Sequence, residues 1–288
     1  MTTLPLFEPV IVGSGFVKIV DVLPRVVPDL ELKCDSAIVQ AARVSYSGGT
    51  TTKKSDKALI KYLLKNAHTT PFEMVQFKFH IKAPLFVVRQ WQRHRMSSYN
   101  ELSARYSVIE DSFWVPETLR TQSAINKQGS GEPVDRPDLI ESMVKHQQDS
   151  YKLYTSLLDS GVSRELARTV LPLSINTEFY WKIDLHNLLR FISLRNDNHA
   201  QFEIQQYASV IKDIVREYCP ITIEAFDEYI TGSIRFSREE INCMNTNTLP
   251  QGKSSQEEFT EKLKQISLFK ERTNWKSIIQ WISPTSYI

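Results

Sequence analysis

Residues 74–95 read MVQFKFHIKAPLFVVRQWQRHR, and their pattern changes midway from one structural repeat to another. In the first half the apolar residues occupy every second position, at Val75, Phe77, Phe79 and Ile81. Because side chains two apart in a strand share a face, Met74–Lys82 is predicted to be a half-buried β-strand. Pro84 suits the first turn of a helix that follows and carries the chain to Arg93.

Strands and helices are predicted on both sides of this stretch. Apolar residues alternate in Gly15–Leu23 and again from Asn176 to Ile183, which indicates two further strands. Gly13-Ser14-Gly15 lacks the third glycine of a dinucleotide-binding loop and is interpreted as a plain turn. Helical periodicity predicts helices from Asp35, which is interpreted as an N-cap, from Ser55, from Leu139 to Gly161, from Ser163, from Asp184 and from His199 to Tyr218.

Two stretches read as connections rather than as secondary structure. Thr121 to Pro137 is rich in Gln, Gly, Ser and Pro and is predicted to be a loop. Beyond about Arg235 the composition turns polar before a last predicted helix, Phe259 to Lys270. We therefore expect a catalytic domain at 1–234 and, at 235–288, a polar linker with a helical appendage.

Composition describes an ordinary globular chain. The 288 residues are 41% hydrophobic and 24% charged, and 35 Lys+Arg against 33 Asp+Glu leave a net charge of only +2. A dedicated nucleic-acid binder carries a larger or more segregated excess. No basic leader, no membrane-length apolar run and no paired cysteines are found, so we expect a cytoplasmic protein without a signal peptide, disulfide framework or zinc site.

The run from Arg93 to Tyr106, RHRMSSYNELSARY, is the strongest functional signal. It combines guanidiniums and an imidazole with small hydroxyl residues, and it holds a carboxylate at Glu101. A solvated charged face has no need of the small hydroxyls, whereas a bound phosphate or carboxylate uses both groups. The run predicts an anion site, with the Ser103 hydroxyl as a phosphate ligand rather than a nucleophile.

The other candidate positions have simpler structural explanations on residue type alone. The segment from His68 to Glu73 fits a capping loop, and Arg168 and Arg195 fit the surface or the end of a helix. Asp184 is explained by an N-cap. His199 has no partner at metal-ligand spacing, so no metal site is predicted.

Taken together, these segments resemble the flavin-dependent thymidylate synthase family. The likeness rests on four stretches in the same order, namely HTTPFEMVQFKFHIKAPLFVVRQW, RHRMSSYNELSARYS, ELARTVLP and LRNDNHAQFEIQQYA. It runs from about Gly15 to Gly232 and leaves out the 121–137 stretch and the residues after 235. The RHR…S…R-Y motif is specific, and its agreement with the other three stretches makes chance similarity untenable.

The resemblance implies an α/β (α+β type) fold with a mixed β-sheet flanked by helices, assembled as a homotetramer with shared active sites. It implies reductive methylation of dUMP to dTMP, with FAD bound, 5,10-methylenetetrahydrofolate as carbon donor and NADPH as reductant. No nucleic-acid or membrane partner is expected.

The resemblance also assigns residues. The set implied for FAD is Thr70, Arg93, His94, Arg95, Glu101, Asp184, His186, Arg190 and His199. The set implied for dUMP is Gln90, Arg93, Glu101, Ser103, Ala104, Arg105, Arg168 and Arg195, and the border of the flavin and folate region is implied at His68 and Glu73. Arg195 is the implied catalytic residue, because a fixed guanidinium stabilises negative charge that develops on the uracil ring.

Two positions depart from the family's pattern. Ala104 stands where relatives often carry glycine, which matters only if residue 104 needs positive φ. Arg190 stands where relatives usually carry Asn or His. Two alternatives stay open: a relative that binds nucleotide without turnover, and a nucleic-acid-binding module that uses the arginines as a phosphate-contacting stripe.

Overall fold

The protein is described from a computed structural model, in which residues 2–3, 7–27, 32–45, 55–123, 129–246 and 248–272 are described. The chain divides into two compact units, Met1–Thr231 and Gly232–Ile288. The strands are β1 (Thr2–Thr3), β2 (Val10–Val12), β3 (Gly15–Leu23), β4 (Val26–Val27), β5 (Gln76–Pro84), β6 (Ser98–Glu101), β7 (Leu119–Gln122), β8 (Ser130–Val134) and β9 (Asn176–Asp184).

Helices make up most of the remaining described structure. They are α1 (Asp35–Arg43), α2 (Asp56–Lys65), α3 (Thr70–Glu73), α4 (Leu85–Trp91), α5 (Pro137–Asp159), α6 (Arg164–Ala167), α7 (Leu185–Arg195), α8 (Phe202–Tyr218), α9 (Pro220–Phe226), α10 (Arg238–Thr246) and α11 (Lys253–Arg272). A 3₁₀ turn, Arg168–Val170, follows α6, and a π turn, Asp227–Thr231, follows α9. No helix in the described ranges has the length and apolarity to cross a bilayer.

The first unit is built on a five-stranded sheet in the order β2-β3-β5-β9-β6. Every pairing among its described strands is antiparallel, so the expectation of a mixed sheet is wrong there. Long helical connections permit either strand direction. Here the chain leaves β3 and enters β5 at the same end of the sheet, where Leu23 lies opposite Gln76.

One face of the sheet forms the core. The alternating residues Phe77, Phe79 and Ile81 of β5 are fully buried, and they lie opposite three apolar residues of β9, namely Ile183, Trp181 and Phe179. Helices α4, α7 and α8 pack on this face. The predicted strands Gly15–Leu23, Met74–Lys82 and Asn176–Ile183 are confirmed, although β5 begins and ends two residues later than predicted.

Gly15 does more than the predicted plain turn requires. A Cβ at this position would overlap the Lys82 carbonyl oxygen and the Tyr207 hydroxyl. That hydroxyl donates to the same carbonyl at 3.0 Å, which ties α8 to the sheet where β3 meets β5. Because residue 15 has no side chain, the hydroxyl of Tyr207 on α8 can reach the Lys82 carbonyl directly over strand β3.

Several predicted boundaries differ from the structure, and the last helix begins at Lys253 rather than at Phe259. Helix α4 ends at Trp91, so Arg93 belongs to a turn, and α8 begins at Phe202 rather than His199. The predicted loop Thr121–Pro137 holds paired strands β7 and β8 around residues 124–128, which lie outside the described residues. The polar linker contains α10, because Ser237 and Glu240 form a capping box in which each backbone N–H donates to the other side chain.

The second unit has its own contacts. Lys262 in α11 pairs with Glu240 at 2.9 Å and with Glu258 at 2.7 Å. The rings of Phe236 and Phe259 meet edge to face at 6.4 Å, and Phe259 is buried. Residues 273–288 of the expected appendage lie outside the described residues.

Asp35 joins two helices, α1 and α9, and its predicted role as an N-cap of α1 is wrong. It is the first residue of α1 and is fully buried, and its carboxylate caps α9 instead. It accepts the backbone N–H groups of Ile221 and Thr222 at 2.7 and 3.2 Å, and it also accepts the Thr222 hydroxyl. Burial raises the pKa of Asp35 to about 6 despite these donors.

Replacing Asp35 by alanine is expected to lower the free energy of unfolding by about 3 kcal/mol or more, because buried donors lose their acceptor. Asp56→Ala is the matched control, since Asp56 also opens a helix but pairs with Arg43 at the surface, where such a pair contributes about 1 kcal/mol at most. Urea denaturation at one fixed protein concentration measures both. Equal losses of unfolding free energy in the two variants would contradict this role of Asp35.

Raising the pH should also weaken the fold through Asp35. Its folded pKa of about 6 lies above the ordinary value of 3.8, so the unfolded chain releases this proton first. The stabilisation that this raised pKa gives to the folded state is complete below pH 4 and is lost as the pH rises toward 6. The difference in stability between the natural protein and Asp35→Asn, followed from pH 4 to 7, should change in that window.

Candidate active site

A tight turn between α4 and β6 presents the RHR motif. The Ser97 hydroxyl donates to the His94 carbonyl at 2.8 Å, and the Tyr99 hydroxyl donates to the carbonyls of both Trp91 and His94. Arg93 and Arg95 are exposed, while His94 between them is half-buried. The turn thus directs two guanidiniums outward and the imidazole inward.

Trp91 anchors this turn to the core. Its indole is fully buried, with ring centroids 5.5 Å from Phe179, 5.2 Å from Trp181 and 4.9 Å from Phe191. Those rings belong to β9 and α7. The last residue of α4 is therefore locked against both elements that carry the other half of the site.

His94 and Arg195 meet although they are far apart in the chain. Arg195 is the last residue of α7, and its Nε donates to His94 Nε2 at 3.0 Å, while its terminal nitrogen donates to the Gln90 carbonyl at 3.3 Å. Since a guanidinium only donates, His94 must accept through an unprotonated Nε2. Burial, then the charges of Arg195 and Arg190, lower the pKa of His94 to about 4. His94 is therefore neutral at neutral pH.

Five predicted residues surround one cavity of about 370 Å³, which we call the arginine cavity. They are Arg93, His94, Arg95, Arg190 and Arg195. Burial, and then the charge of Arg93, lower the pKa of Arg195 from its ordinary value. Asn187 also lines this cavity and was missed by the sequence analysis, since nothing distinguishes it from a polar helix residue.

Four predicted residues line a second cavity of about 340 Å³, the serine cavity. They are Glu101, Ser103, Ala104 and Arg168. Ala104 is not among the described non-glycine residues with positive φ, which are Lys33 and Ala67, so its methyl group is compatible with the backbone here. No residue lines both this cavity and the arginine cavity.

Glu101 is fixed in place by two donors. Gln92 Nε2 and the Thr177 hydroxyl each donate to its carboxylate at 3.0 Å. Thr177 also lines the serine cavity, together with Asn176. Both were missed, but Thr177 left a signal: it is a polar residue on the apolar face of the Asn176–Ile183 alternation.

Arg105 and Arg168 converge on Glu165. Arg105 Nε pairs with its carboxylate at 3.0 Å, and Arg168 Nε donates to its backbone carbonyl at 3.4 Å. Both arginines are exposed, and only Arg168 lines the serine cavity. Glu165 therefore holds the Arg105 guanidinium near Arg168, which lines the serine cavity together with Ser103.

Asp184 joins β9 to α7 as predicted from its N-cap role. Its carboxylate accepts the backbone N–H of Asn187 at 2.9 Å and the side-chain amide of the same residue at 2.8 Å. His186 is half-buried in the first turn of α7. Neither Asp184 nor His186 lines the arginine cavity, although the next residue, Asn187, does.

The remaining predicted residues are not gathered into either cavity. His68 and Thr70 are exposed around the start of α3, and Glu73 ends that helix half-buried. The exposed His199 contacts Asp197 through its ring at 2.7 Å. The Gln90 side-chain amide donates to Gln201, while the Gln90 backbone carbonyl accepts from Arg195.

Comparison with known proteins places this geometry in a family. Residues 30–221 match the family described as "Thymidylate synthase complementing protein". The chain is 48% identical over 240 residues to the flavin-dependent thymidylate synthase of Thermus thermophilus, covering 83% of this chain and 85% of that protein. It is 47% identical over 259 residues to the enzyme of the same name from Dictyostelium discoideum, covering 87% and 84%.

A solved structure agrees in fold as well as in sequence. The UMP/dUMP methylase PolB from Streptomyces cacaoi, crystallised with 5-Br UMP, superposes with a TM-score of 0.65 at 33% identity. The match covers 75% of this chain and 95% of that one. A family match over most of the chain, together with relatives close to half identical, leaves one conclusion. This chain belongs to the flavin-dependent thymidylate synthase family and is an enzyme of that kind.

Proposed function

We propose that this protein catalyses the FAD-dependent reductive methylation of dUMP to dTMP, with 5,10-methylenetetrahydrofolate as carbon donor and NADPH as reductant. The observation that carries the proposal is the pair of cavities, each lined by residues that bind anions and each reached from the RHR…S…R-Y segment. The relatives are named for flavin dependence and thymidylate synthesis, and the Streptomyces structure holds a brominated uridine nucleotide.

The arginine cavity fits the flavin cofactor. Arg93, Arg95 and Arg190 line it with few acidic neighbours, which suits the diphosphate of FAD. His94 is neutral, so it leaves the cavity without an added charge at a flavin ring. Further FAD contacts are assigned to Thr70, Glu101, Asp184, His186 and His199. When bound, the flavin supplies the redox chemistry, and the residues around it orient the two reacting rings.

The serine cavity fits the nucleotide. The Ser103 hydroxyl, the Ala104 backbone N–H and the guanidinium of Arg168 provide the donors that a phosphate requires, with Arg105 beside them. Glu101 is held by Gln92 and Thr177 and is available to accept from a sugar or base. Gln90 and Arg93 complete the proposed dUMP set.

Arg195 is proposed to stabilise the reacting uracil. Carbon 5 of the ring must become nucleophilic, so negative charge develops at N3 and O4. Arg195 remains protonated and is held by His94 and by the Gln90 carbonyl, so its remaining N–H groups form a fixed donor array. A preorganised donor of this kind lowers the barrier by about 3 kcal/mol.

The division of the nucleotide set between two cavities supports a shared site. Arg168 and Ser103 line one cavity, while Arg195 and Arg93 line the other. A complete site arises if the serine cavity of one subunit faces the arginine cavity of another, as in the predicted homotetramer. His68 and Glu73, which line neither cavity, are assigned to the folate and flavin border of that assembled site.

The whole function is tested by the spectrum of the purified protein and by its product. We expect a yellow protein that binds FAD, whose chemically reduced flavin is reoxidised when dUMP and methylenetetrahydrofolate are added, with dTMP formed. A protein that cannot be loaded with FAD would refute the proposal. Flavin binding without dTMP would instead identify a degenerate relative.

Arg168→Ala is expected to weaken dUMP binding about tenfold to a hundredfold, because a charge-assisted contact to phosphate is lost. Arg164→Ala is the matched control, since Arg164 is exposed at the start of α6, four residues before Arg168 in the following 3₁₀ turn, and does not line the cavity. Titration of the flavin spectrum with dUMP gives both dissociation constants. An equal change in the two variants would exclude a specific role.

Arg195→Lys is expected to lower kcat about a hundredfold while the protein still binds FAD, because lysine keeps the charge but cannot hold the two-donor geometry. Arg89→Lys, on the exposed side of α4, should leave kcat unchanged. Turnover at saturating dUMP measures the effect. If Arg195→Lys altered only the KM for dUMP, Arg195 would be a binding residue rather than a catalytic one.

A further inference from the structure

A third cavity, of about 280 Å³, lies on the first unit and shares no residue with the other two. We call it the lysine cavity. Its charged and polar lining consists of Asp21, Arg25, Gln76, Lys78 and Lys182. It sits on the sheet face opposite the core, because Lys78 and Lys182 alternate with buried residues of β5 and β9.

The strand register brings its charges into one row. Lys78 lies directly opposite Asp21 on one side and directly opposite Lys182 on the other. Two like charges across neighbouring strands destabilise a sheet. Elsewhere on this face, β5 and β9 place compatible side chains opposite each other. Lys82 Nζ lies 3.7 Å from the Glu178 carboxylate, and the rings of His80 and Tyr180 stack with centroids 4.8 Å apart.

The cations that line this cavity also lack ion-pair partners among the described residues. Within the part of the chain that the structure describes, no hydrogen bond or ion pair joins the side chains of Arg25, Lys78 or Lys182 to another residue. The Asp21 carboxylate accepts the backbone N–H of Val22 at 2.9 Å. Three cations against one carboxylate leave the cavity with a local charge of +2.

We propose that the lysine cavity binds the 2′-phosphate of NADPH. The inference rests on the proposed function, which requires this reductant and assigns no residue to it. A phosphate monoester carries close to two negative charges at neutral pH, which matches the excess of the cavity. Lysine binds phosphate as a point charge and arginine adds a fork of donors. The anion would remove the repulsion between Lys78 and Lys182.

The position of the cavity suits a ligand that must reach the flavin. Gln76, in its lining, lies opposite Asp184 in the strand register. Asp184 belongs to the residues proposed for FAD and stands two positions after Lys182. The lysine cavity therefore adjoins a segment proposed to bind FAD, and a ligand in it leaves the arginine cavity and the serine cavity free.

Lys78→Gln and Lys182→Gln test the proposal, with Lys18→Gln as the matched control. Lys18 lies on the same sheet face, opposite His80, and does not line the cavity. Each cavity variant should raise the KM for NADPH in flavin reduction about fivefold, the effect of one partly exposed charged contact, with kcat unchanged. The KM for NADH, which lacks the 2′-phosphate, should not change.

A second measurement separates this proposal from the proposed function. Flavin reduced by dithionite bypasses NADPH, so all three variants should then form dTMP at the rate of the natural protein. A natural protein that forms no dTMP with dithionite would refute the proposed function itself. If dTMP is formed, four results would overturn only the proposal for the lysine cavity. They are a rise in the KM for NADH equal to that for NADPH, an effect of Lys18→Gln equal to that of the cavity variants, loss of bound FAD, and altered assembly.

Discussion

The antiparallel pairing of β5 with β9 is the constraint on which the site depends. Each strand ends in a helix that packs back on the same buried face, and the opposite strand directions put the starts of α4 and α7 at opposite ends of the sheet. A nine-residue strand spans about 30 Å. Helices of seven and eleven residues extend about 10 Å and about 16 Å. Their carboxyl ends therefore approach each other, and His94 meets Arg195 there.

This convergence explains how so many guanidiniums can share one cavity. The carboxyl end of each helix carries unsatisfied carbonyls and a partial negative charge. Arg195 donates to a carbonyl in the last turn of α4, that of Gln90, which also accepts the backbone N–H of Arg93. Two helix ends thus offset part of the repulsion among the arginines, while His94 reduces it further by staying neutral. The remaining positive charge is what an anionic ligand would neutralise.

Sequence patterns were reliable where a local rule governs the structure. Alternation identified β3, β5 and β9, and Asp184 and Ser55 are helix caps because capping depends on residues within one turn. Asp35 looked equally like a cap, yet its carboxylate serves a helix near residue 221, a pairing that no local pattern reveals. Strand direction was missed for the same reason, since it depends on where a long connection returns.

The candidate site shows the same limit. The RHR motif and Ser103 could be singled out because their residue types are unusual in so short a stretch. Asn187 could not, because its importance comes from a cap contact. Thr177 left only its polarity on an apolar strand face as a signal, and its contact with Glu101 depends on strand pairing. The division into two cavities was likewise invisible, since Glu101 and Arg93 lie only eight positions apart in the chain yet line different cavities.

The long-range cap at Asp35 bears on how the protein folds as it is synthesised. Asp35 and Ile221 are 186 residues apart, so α1 emerges from the ribosome long before its partner exists. Until α9 appears, the Asp35 carboxylate remains hydrated and the layer that it closes stays open. Helix α1 packs on α2 and α3, which follow it directly, but its cap on α9 waits until most of the chain has been synthesised, so a chaperone has time to act before this layer closes.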